Sequence, residues 1–385
     1  MNMEIIRAYK TELNPNNWQR SRFEQCAEVR RFVFNIGLRE WQRQYKNGDK
    51  PSQYGLRKQF NAAKRGFFPY VVQVPYAVTE KAFADLDAAF KHFFRRVKNA
   101  ETPGYPKFSH DATRFSLKNT RIDSNQIRLT GIGWVRLKER GYIPTDPVKY
   151  GTYVTISKRA GRWFISVPVY EEIDGPQNDS TLVVGVDFGV KTLAVCSDGT
   201  EYENPKLLRT AQRQLKRLQR ELSRRKKGGQ NWQKTKARLA AQHAKVANIR
   251  KHTLHQISHD IVVNKHPAVV VIEDLNVSGM VKNHCLAQAI SDVGFAELRR
   301  QIEYKAGWYK VDVVTVSQWF PSSKTCSACG CIKSDLTLGD RTFHCDDCGF
   351  EIDRDLNAAR NLAAMGKGLN RPGLPVELEC SEALL

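Results

Sequence analysis

Three carboxylates and four thiols carry the chemistry this sequence can support. Asp187 ends a continuous apolar run, Leu-Val-Val-Gly-Val, and is followed by Phe-Gly. Glu273 ends a second run, Val269–Ile272, and Asp355 opens the segment Asp-Leu-Asn-Ala-Ala-Arg-Asn. Singly, each reads as well as a turn or helix-start residue. Together they place three acids where strand ends and a helix start can converge, the region where open α/β sheets gather function. Clustered carboxylates repel unless cations neutralise them, and hard oxygen donors favour Mg²⁺ or Mn²⁺. Two such ions about 3.5–4 Å apart activate water and stabilise the leaving oxygen in phosphodiester cleavage. The expectation is a metal-dependent nuclease site formed by Asp187, Glu273 and Asp355.

The thiols form the most specific local pattern. Cys326 and Cys329 make one CxxCG knuckle, and Cys345 and Cys348 make a second after fifteen intervening residues. Four thiolates at this spacing suit a closed, tetrahedral, structural Zn²⁺ site. Cys331 and His344 lie beside the knuckles but are surplus to four ligands. Lys324, Arg341 and the Ser322-Ser323 pair either contact phosphates or solvate the module, and the sequence does not choose. His252, His255 and His259 share a helical face; such a face more often meets nucleic acid or is partly buried than binds metal.

Charge points to the substrate. Lys and Arg number 61 against 40 Asp and Glu, a formal +21, and so basic a chain expects a polyanion. The excess is clustered: between Lys206 and Lys251 stand sixteen Lys or Arg and one acid, Glu221. Leu208, Ala211, Leu215, Leu218 and Leu222 form a coiled-coil seam there, with Val246, Ile249, Ile257 and Ile261 as its partner face. The apolar seam is thus used in packing, and the remaining faces repel themselves without a polyanion. Arg213, Lys216, Arg217, Arg220, Arg224, Arg225, Lys226 and Lys227, with Lys324, are the candidate nucleic-acid contacts. No apolar run reaches the roughly 18 residues needed to span a bilayer, so no membrane partner is expected. The first thirteen residues alternate like a strand and lack a signal peptide's apolar core. Paired CxxC motifs without a secretion signal suggest a reducing, cytoplasmic setting.

The elements that position these residues follow from periodicity. After the first strand, residues 16–100 read as helical, with Tyr54, Phe60, Phe83, Leu86, Phe90, Phe93 and Val97 marking apolar faces. Pro-Gly-Tyr-Pro-Lys-Phe at 103–108 breaks that pattern. Residues 113–172 alternate with period two and read as an antiparallel sheet or small barrel, which the first strand could complete. The acidic, Gly- and Pro-containing stretch 171–180 is the best domain boundary. Beyond it the texture is α/β: strands at 182–187 and 192–196, a helical hairpin over 206–263, and a buried strand ending at Glu273. A helix near 291–308, a strand at 311–317 and a last helix from Asp355 follow, and a Gly/Pro-rich tail begins at 366.

Assembled, these motifs make the sequence resemble the TnpB (OrfB) family of insertion-sequence proteins, relatives of the type V CRISPR effector nucleases. The resemblance covers nearly the whole chain. It is sharpest in Gly-Val-Asp187-Phe-Gly, Val-Ile-Glu273-Asp-Leu-Asn-Val-Ser-Gly-Met, Ser-Lys-Thr-Cys326-Ser-Ala-Cys329-Gly, and Cys345-Asp-Asp-Cys348-Gly followed by Asp-Arg-Asp355-Leu-Asn-Ala-Ala-Arg-Asn. It implies a multidomain α+β protein. Residues 1–14 and 113–172 would form a wedge-like β-barrel, and 15–112 a helical recognition lobe inserted in it. Residues 181–324 and 351–366 would form a RuvC-like nuclease of RNase H fold, with 206–263 its basic hairpin. Residues 325–350 would be a zinc ribbon and 367–385 a flexible tail. The family pattern favours Asp355 over Asp353 as the third acid. It further implies a guide RNA from the element's own end, a double-stranded DNA target beside a short motif, a monomer, and nucleoid association. The competing functions are a transposase performing DNA strand transfer and a non-catalytic zinc-ribbon regulator.

Overall fold

The computed structural model describes residues 2–118, 120–145, 149–174, 178–190, 192–280, 294–337 and 339–369. The chain divides into two compact units on either side of Ile173 and Asp174. The expected flexible tail lies outside the described residues from position 370 onward.

The first unit begins with a long strand, β1 (Asn2–Asn14), followed by four helices: α1 (Asn17–Lys46), α2 (Gln53–Phe67), α3 (Pro69–Val72) and α4 (Tyr76–Lys98). Asn16 starts α1 through a reciprocal capping box with Gln19, which satisfies two otherwise orphaned amides. Seven strands follow: β2 (Arg114–Leu117), β3 (Arg121–Asp123), β4 (Gln126–Leu129), β5 (Gly133–Leu137), β6 (Lys149–Tyr150), β7 (Val154–Arg159) and β8 (Arg162–Asp174). They pair along the path β2-β7-β8-β1-β5-β4-β3, with β6 also on β8. The first strand therefore sits between β8 and β5, and the four helices intervene in sequence. One core joins sheet and helices, holding Phe60, Phe83, Leu86 and Phe90 with Ile127, Val135, Ile156 and Ile165. Trp41 stacks on Phe90 at 4.2 Å. Two expected core positions are exposed, Tyr54 at 69% and Val97 at 51%. Both lie in terminal turns, where the helix runs past the core; periodicity identifies a face but not where its cover ends.

The second unit is built on a sheet of β9 (Val183–Asp187), β10 (Thr192–Cys196), β11 (Glu201–Glu203), β12 (Val269–Glu273) and β13 (Asp312–Val316), in the order β11-β10-β9-β12-β13. β9, β12 and β13 run parallel. The helices are α5 (Lys206–Arg224), α6 (Gln230–His259), α7 (Val277–Met280), α8 (Phe295–Tyr309) and α9 (Arg354–Leu369), with a π-helical turn at Asp260–Asn264. The continuous apolar runs follow from cover on both faces. Val184, Val186, Val270 and Ile272 pack with Leu254, Ile257, Phe295 and Leu298 of α6 and α8. On the opposite face Val183, Val269 and Val271 pack with Leu362 and Ala363 of α9.

The helical hairpin differs in one respect from the sequence pattern. Leu208, Ala211 and Leu215 meet Val246 and Ile249, but Ile257 and Ile261 belong to the sheet core. α6 thus serves α5 as far as Ile249 and, with the π-helical turn, the sheet from Leu254 onward, a change of partner that a single seam does not reveal. Two short strands, β14 (Thr342–His344) and β15 (Glu351–Asp353), form a separate hairpin around the cysteines. Among the described residues no helix is long and apolar enough to cross a membrane.

Candidate active site

The strand register puts two of the acids side by side. Val186 pairs with Ile272 across the parallel β9–β12 ladder, so the next residues, Asp187 and Glu273, end neighbouring strands about 4.8 Å apart. Glu273 in turn pairs with Val316 of β13. The third acid arrives on α9, which crosses the sheet closely. A Cβ on Gly185 would lie 2.1 Å from the carbonyl oxygen of Ala359 and 2.5 Å from the amide nitrogen of Ala363. Only a residue without a side chain lets α9 sit so low beside Asp187.

At the start of α9, Asp353 accepts hydrogen bonds from the amides of Asp355 (2.9 Å) and Leu356 (3.0 Å). Its carboxylate is thereby used as a helix cap. Asp355 is left facing Arg354 at 3.3 Å and Arg341 at 3.9 Å. Burial raises the Asp187 carboxyl to about 7, and the charges of Asp355 and Glu273 push the same way. Burial also raises Glu273. Asp187 therefore feels the charge of both other acids, which Arg354 offsets only in part, leaving a local deficit of positive charge. An all-oxygen donor set with such a deficit fits a divalent cation.

The four cysteines form a tighter cluster. Among the described residues, Cys326, Cys329, Cys345 and Cys348 are the only group arranged to hold a metal ion through three or more ligand atoms, and these atoms all lie within 4.8 Å of one another. Cys329 and Cys345 Sγ are 3.5 Å apart, and Cys326 and Cys348 Sγ 3.7 Å, spacings that suit tetrahedral Zn²⁺. Each knuckle closes on a left-handed glycine, Gly330 (φ 83°) or Gly349 (φ 69°), whose amide returns to the first cysteine's carbonyl. Phe343 is wholly buried beneath, with Phe350 and Ile352 packed against it. Cys331 and His344 stand outside the cluster. Among the described residues His252, His255 and His259 form no ligand group either.

Residues without an evident role in the sequence tie the module to the acids. Asn357 and Asn361, one turn apart on α9, are buried. Asn357 accepts from the Ser327 amide and donates to the Thr325 carbonyl. Asn361 donates to the carbonyls of Ser322 and Thr325. The segment entering the first knuckle is thus bonded to the helix that carries Asp355. Two buried asparagines spaced i, i+4 were the available signal. Arg299 of α8 holds Asp274, next to Glu273, at 2.5 Å. Lys324 donates to the Ser334 carbonyl at 2.8 Å, so its ammonium braces the module.

The candidate cations of α5 gather on one side. Arg213, Lys216, Arg217, Arg220, Arg224 and Arg225 line a cleft of about 760 Å³ with Glu221. Glu221 binds Arg225 at 2.6 Å and accepts from Thr235 of α6 at 3.1 Å, pinning the turn end of the hairpin. The other five have no ion-pair partner among the described residues. Lys226 and Lys227 are exposed in the turn.

This combination defines a multidomain α/β protein of the architecture seen in compact CRISPR effectors. A Cas12f1–guide RNA–target DNA complex aligns over 89% of this chain and 82% of its own, with TM-score 0.57 at 15% identity. The mini RNA-guided endonuclease CRISPR-Cas_phi3 aligns over 96% and 93%, with TM-score 0.56 at 9% identity. The family described as "Probable transposase" (OrfB_IS605) matches residues 166–284. A "Cas12f1-like, TNB domain" matches 295–362, and a "Helix-turn-helix domain" matches 1–50. The last span holds β1 and the single long helix α1. An Escherichia coli K12 protein named "Putative RNA-guided DNA endonuclease InsQ" is 32% identical over 99% of both chains. A Streptomyces pristinaespiralis protein with the same description is 34% identical over 95% of this chain and 90% of its own. The chain belongs to the TnpB (OrfB) family of insertion-sequence proteins.

Proposed function

We propose that this chain is an RNA-guided, Mg²⁺-dependent DNA endonuclease encoded by an insertion element, cutting target DNA at Asp187, Glu273 and Asp355. The observation that carries this reading is Asp187 at a strand end beside that of Glu273, its carboxyl raised by burial and by the charges of Asp355 and Glu273. In this reading the second unit is the RuvC-like nuclease of RNase H type, interrupted by a zinc ribbon at 325–350 with Cys326, Cys329, Cys345 and Cys348 as ligands. The first unit comprises a wedge-like barrel (1–14 and 113–172) and a helical recognition lobe (15–112). The partners are an RNA from the element's own end and a DNA duplex bearing a short adjacent motif, bound by a cytoplasmic monomer.

The chain's own residues divide the work. Asp187 and Glu273 hold the metal-binding face rigid, because both end strands fixed by ladders on a covered sheet. Asp355 closes the face from α9, with Arg354 and Arg341 beside it as cations able to meet a phosphate. Bound Mg²⁺ would supply the countercharge and activate the attacking water. The α5 cations bind the backbone of the nucleic acid without reading its sequence.

Asp187→Ala is expected to abolish Mg²⁺-dependent cutting of a guide-matched duplex, a loss of at least about a hundredfold, with the affinity for co-purified RNA within twofold. Unchanged cutting by this variant sinks the assignment. Strand transfer is the second reading, favoured by the family description of residues 166–284. Joining of a donor end into a target by purified protein decides for it.

A further inference from the structure

We propose that a cleft on the first unit, lined by Trp18, Arg121 and Arg128, binds one unpaired nucleotide of the RNA, with its base on Trp18 and its phosphate between the two arginines. This rests on the guided-nuclease reading for the identity of the strand, and on local geometry for everything else.

Arg121 and Arg128 are direct partners across the β3–β4 ladder, and Arg128 is the direct partner of Trp134 across β4–β5. The three side chains therefore stand in one row on one exposed face. Like charges placed directly opposite each other in a sheet repel. Neither guanidinium has a hydrogen-bond or ion-pair partner among the described residues. The acid nearest in register, Asp123, lies one step along the same face opposite Gln126 and accepts from the Ser124 amide. An anion from outside is the missing partner of this pair.

The aromatic side is equally specific. Trp18, in the first turn of α1, is 59% exposed and Trp134 44% exposed. Gln19 donates to the Trp134 carbonyl at 2.8 Å, which anchors the start of α1 against β5 and fixes Trp18 beside the arginine row. Trp18, Arg121 and Arg128 line one cleft of about 460 Å³, closed at its end by the Thr130–Gly133 turn. A rigid exposed indole beside two unneutralised guanidiniums matches a base and its phosphate. A duplex keeps its bases stacked inside, so the occupant is single-stranded. RNA is the strand that offers unpaired bases throughout, whereas the DNA target is duplex until it pairs.

The test uses the full chain without Mg²⁺ and three labelled probes: a ten-residue oligouridine, a ten-residue oligothymidine and a 20-base-pair DNA duplex. Trp18→Ala is expected to weaken oligouridine binding roughly tenfold, and Trp18→Phe to restore most of it. Arg121→Gln with Arg128→Gln is expected to flatten the salt dependence of log K by about 0.7, the value for one neutralised phosphate. The duplex affinity should be unchanged in all variants. Oligouridine affinity unaffected by Trp18→Ala, or duplex affinity falling in step, overturns the site. Oligothymidine offers the same base face and phosphate and should follow oligouridine; undiminished retention of the co-purified RNA by Trp18→Ala overturns the assignment to RNA. None of these measurements requires cutting, so a chain that fails to cleave but binds this way refutes the nuclease reading alone.

Discussion

Asp187 carries an energetic conflict at the residue scale. Its folded-state value of about 7 lies well above the ordinary carboxylate range. Between roughly pH 4 and 7 the folded protein then holds a proton that the unfolded chain has released. The stability it contributes is complete below about pH 4 and is lost as pH rises through 7. The metal-free protein should therefore melt several degrees lower at pH 8 than at pH 5, a difference of a few kcal/mol at most. Mg²⁺ should raise the melting temperature far more at pH 8, where the ionised carboxylate is available to it. Asp187→Asn should flatten both dependences. A wild-type melting profile that rises from pH 5 to pH 8 without metal contradicts this account of the site.

At the scale of elements, the decisive contact is α9 on β9. Gly185→Ala would set a methyl group against the backbone of Ala359 and Ala363, and a helix backbone cannot yield as a flexible side chain can. The helix must lift, carrying Asp355 with it. A displacement near 1 Å costs about a hundredfold in rate, so cleavage should fall by that order while RNA affinity stays within twofold. Asn361→Ala should cost about 1–3 kcal/mol, because it leaves the Ser322 carbonyl without its buried donor, while the Thr325 carbonyl keeps Asn357; thermal melting of the two variants separates strain from lost hydrogen bonds. The runs ending at Asp187 and Glu273 were legible as covered strands because both faces are apolar, and the CxxC pairs because metal ligation fixes their spacing. What α9 packs against was not legible. Gly185 reads as one small residue in a valine run, and its meaning depends on a helix more than 170 positions away. The end of the α6 seam failed for the same reason, since Ile257 and Ile261 look alike whether a helix or a sheet covers them.

Across the whole molecule, the +21 charge is held in two different ways, and salt distinguishes them. Many cations of the first unit are neutralised internally, as where Lys138 and Arg162 share Glu12 at 3.1 Å each. Those of α5 are not, apart from Arg225. Arg213, Arg217 and Arg220 follow one helical stripe in the cleft, and each bound phosphate releases counterions that a paired cation has already given up. Replacing all three by Gln should reduce the slope of log K against log salt for duplex binding by about 2–3, at roughly 0.9 per contact. Lys138→Gln with Arg162→Gln, of comparable charge change, should leave the slope nearly as it was. Equal slopes for the two sets would mean that the hairpin acts through net charge alone. Unequal slopes in the expected order would place the duplex against α5 and assign the basic hairpin to phosphate contact.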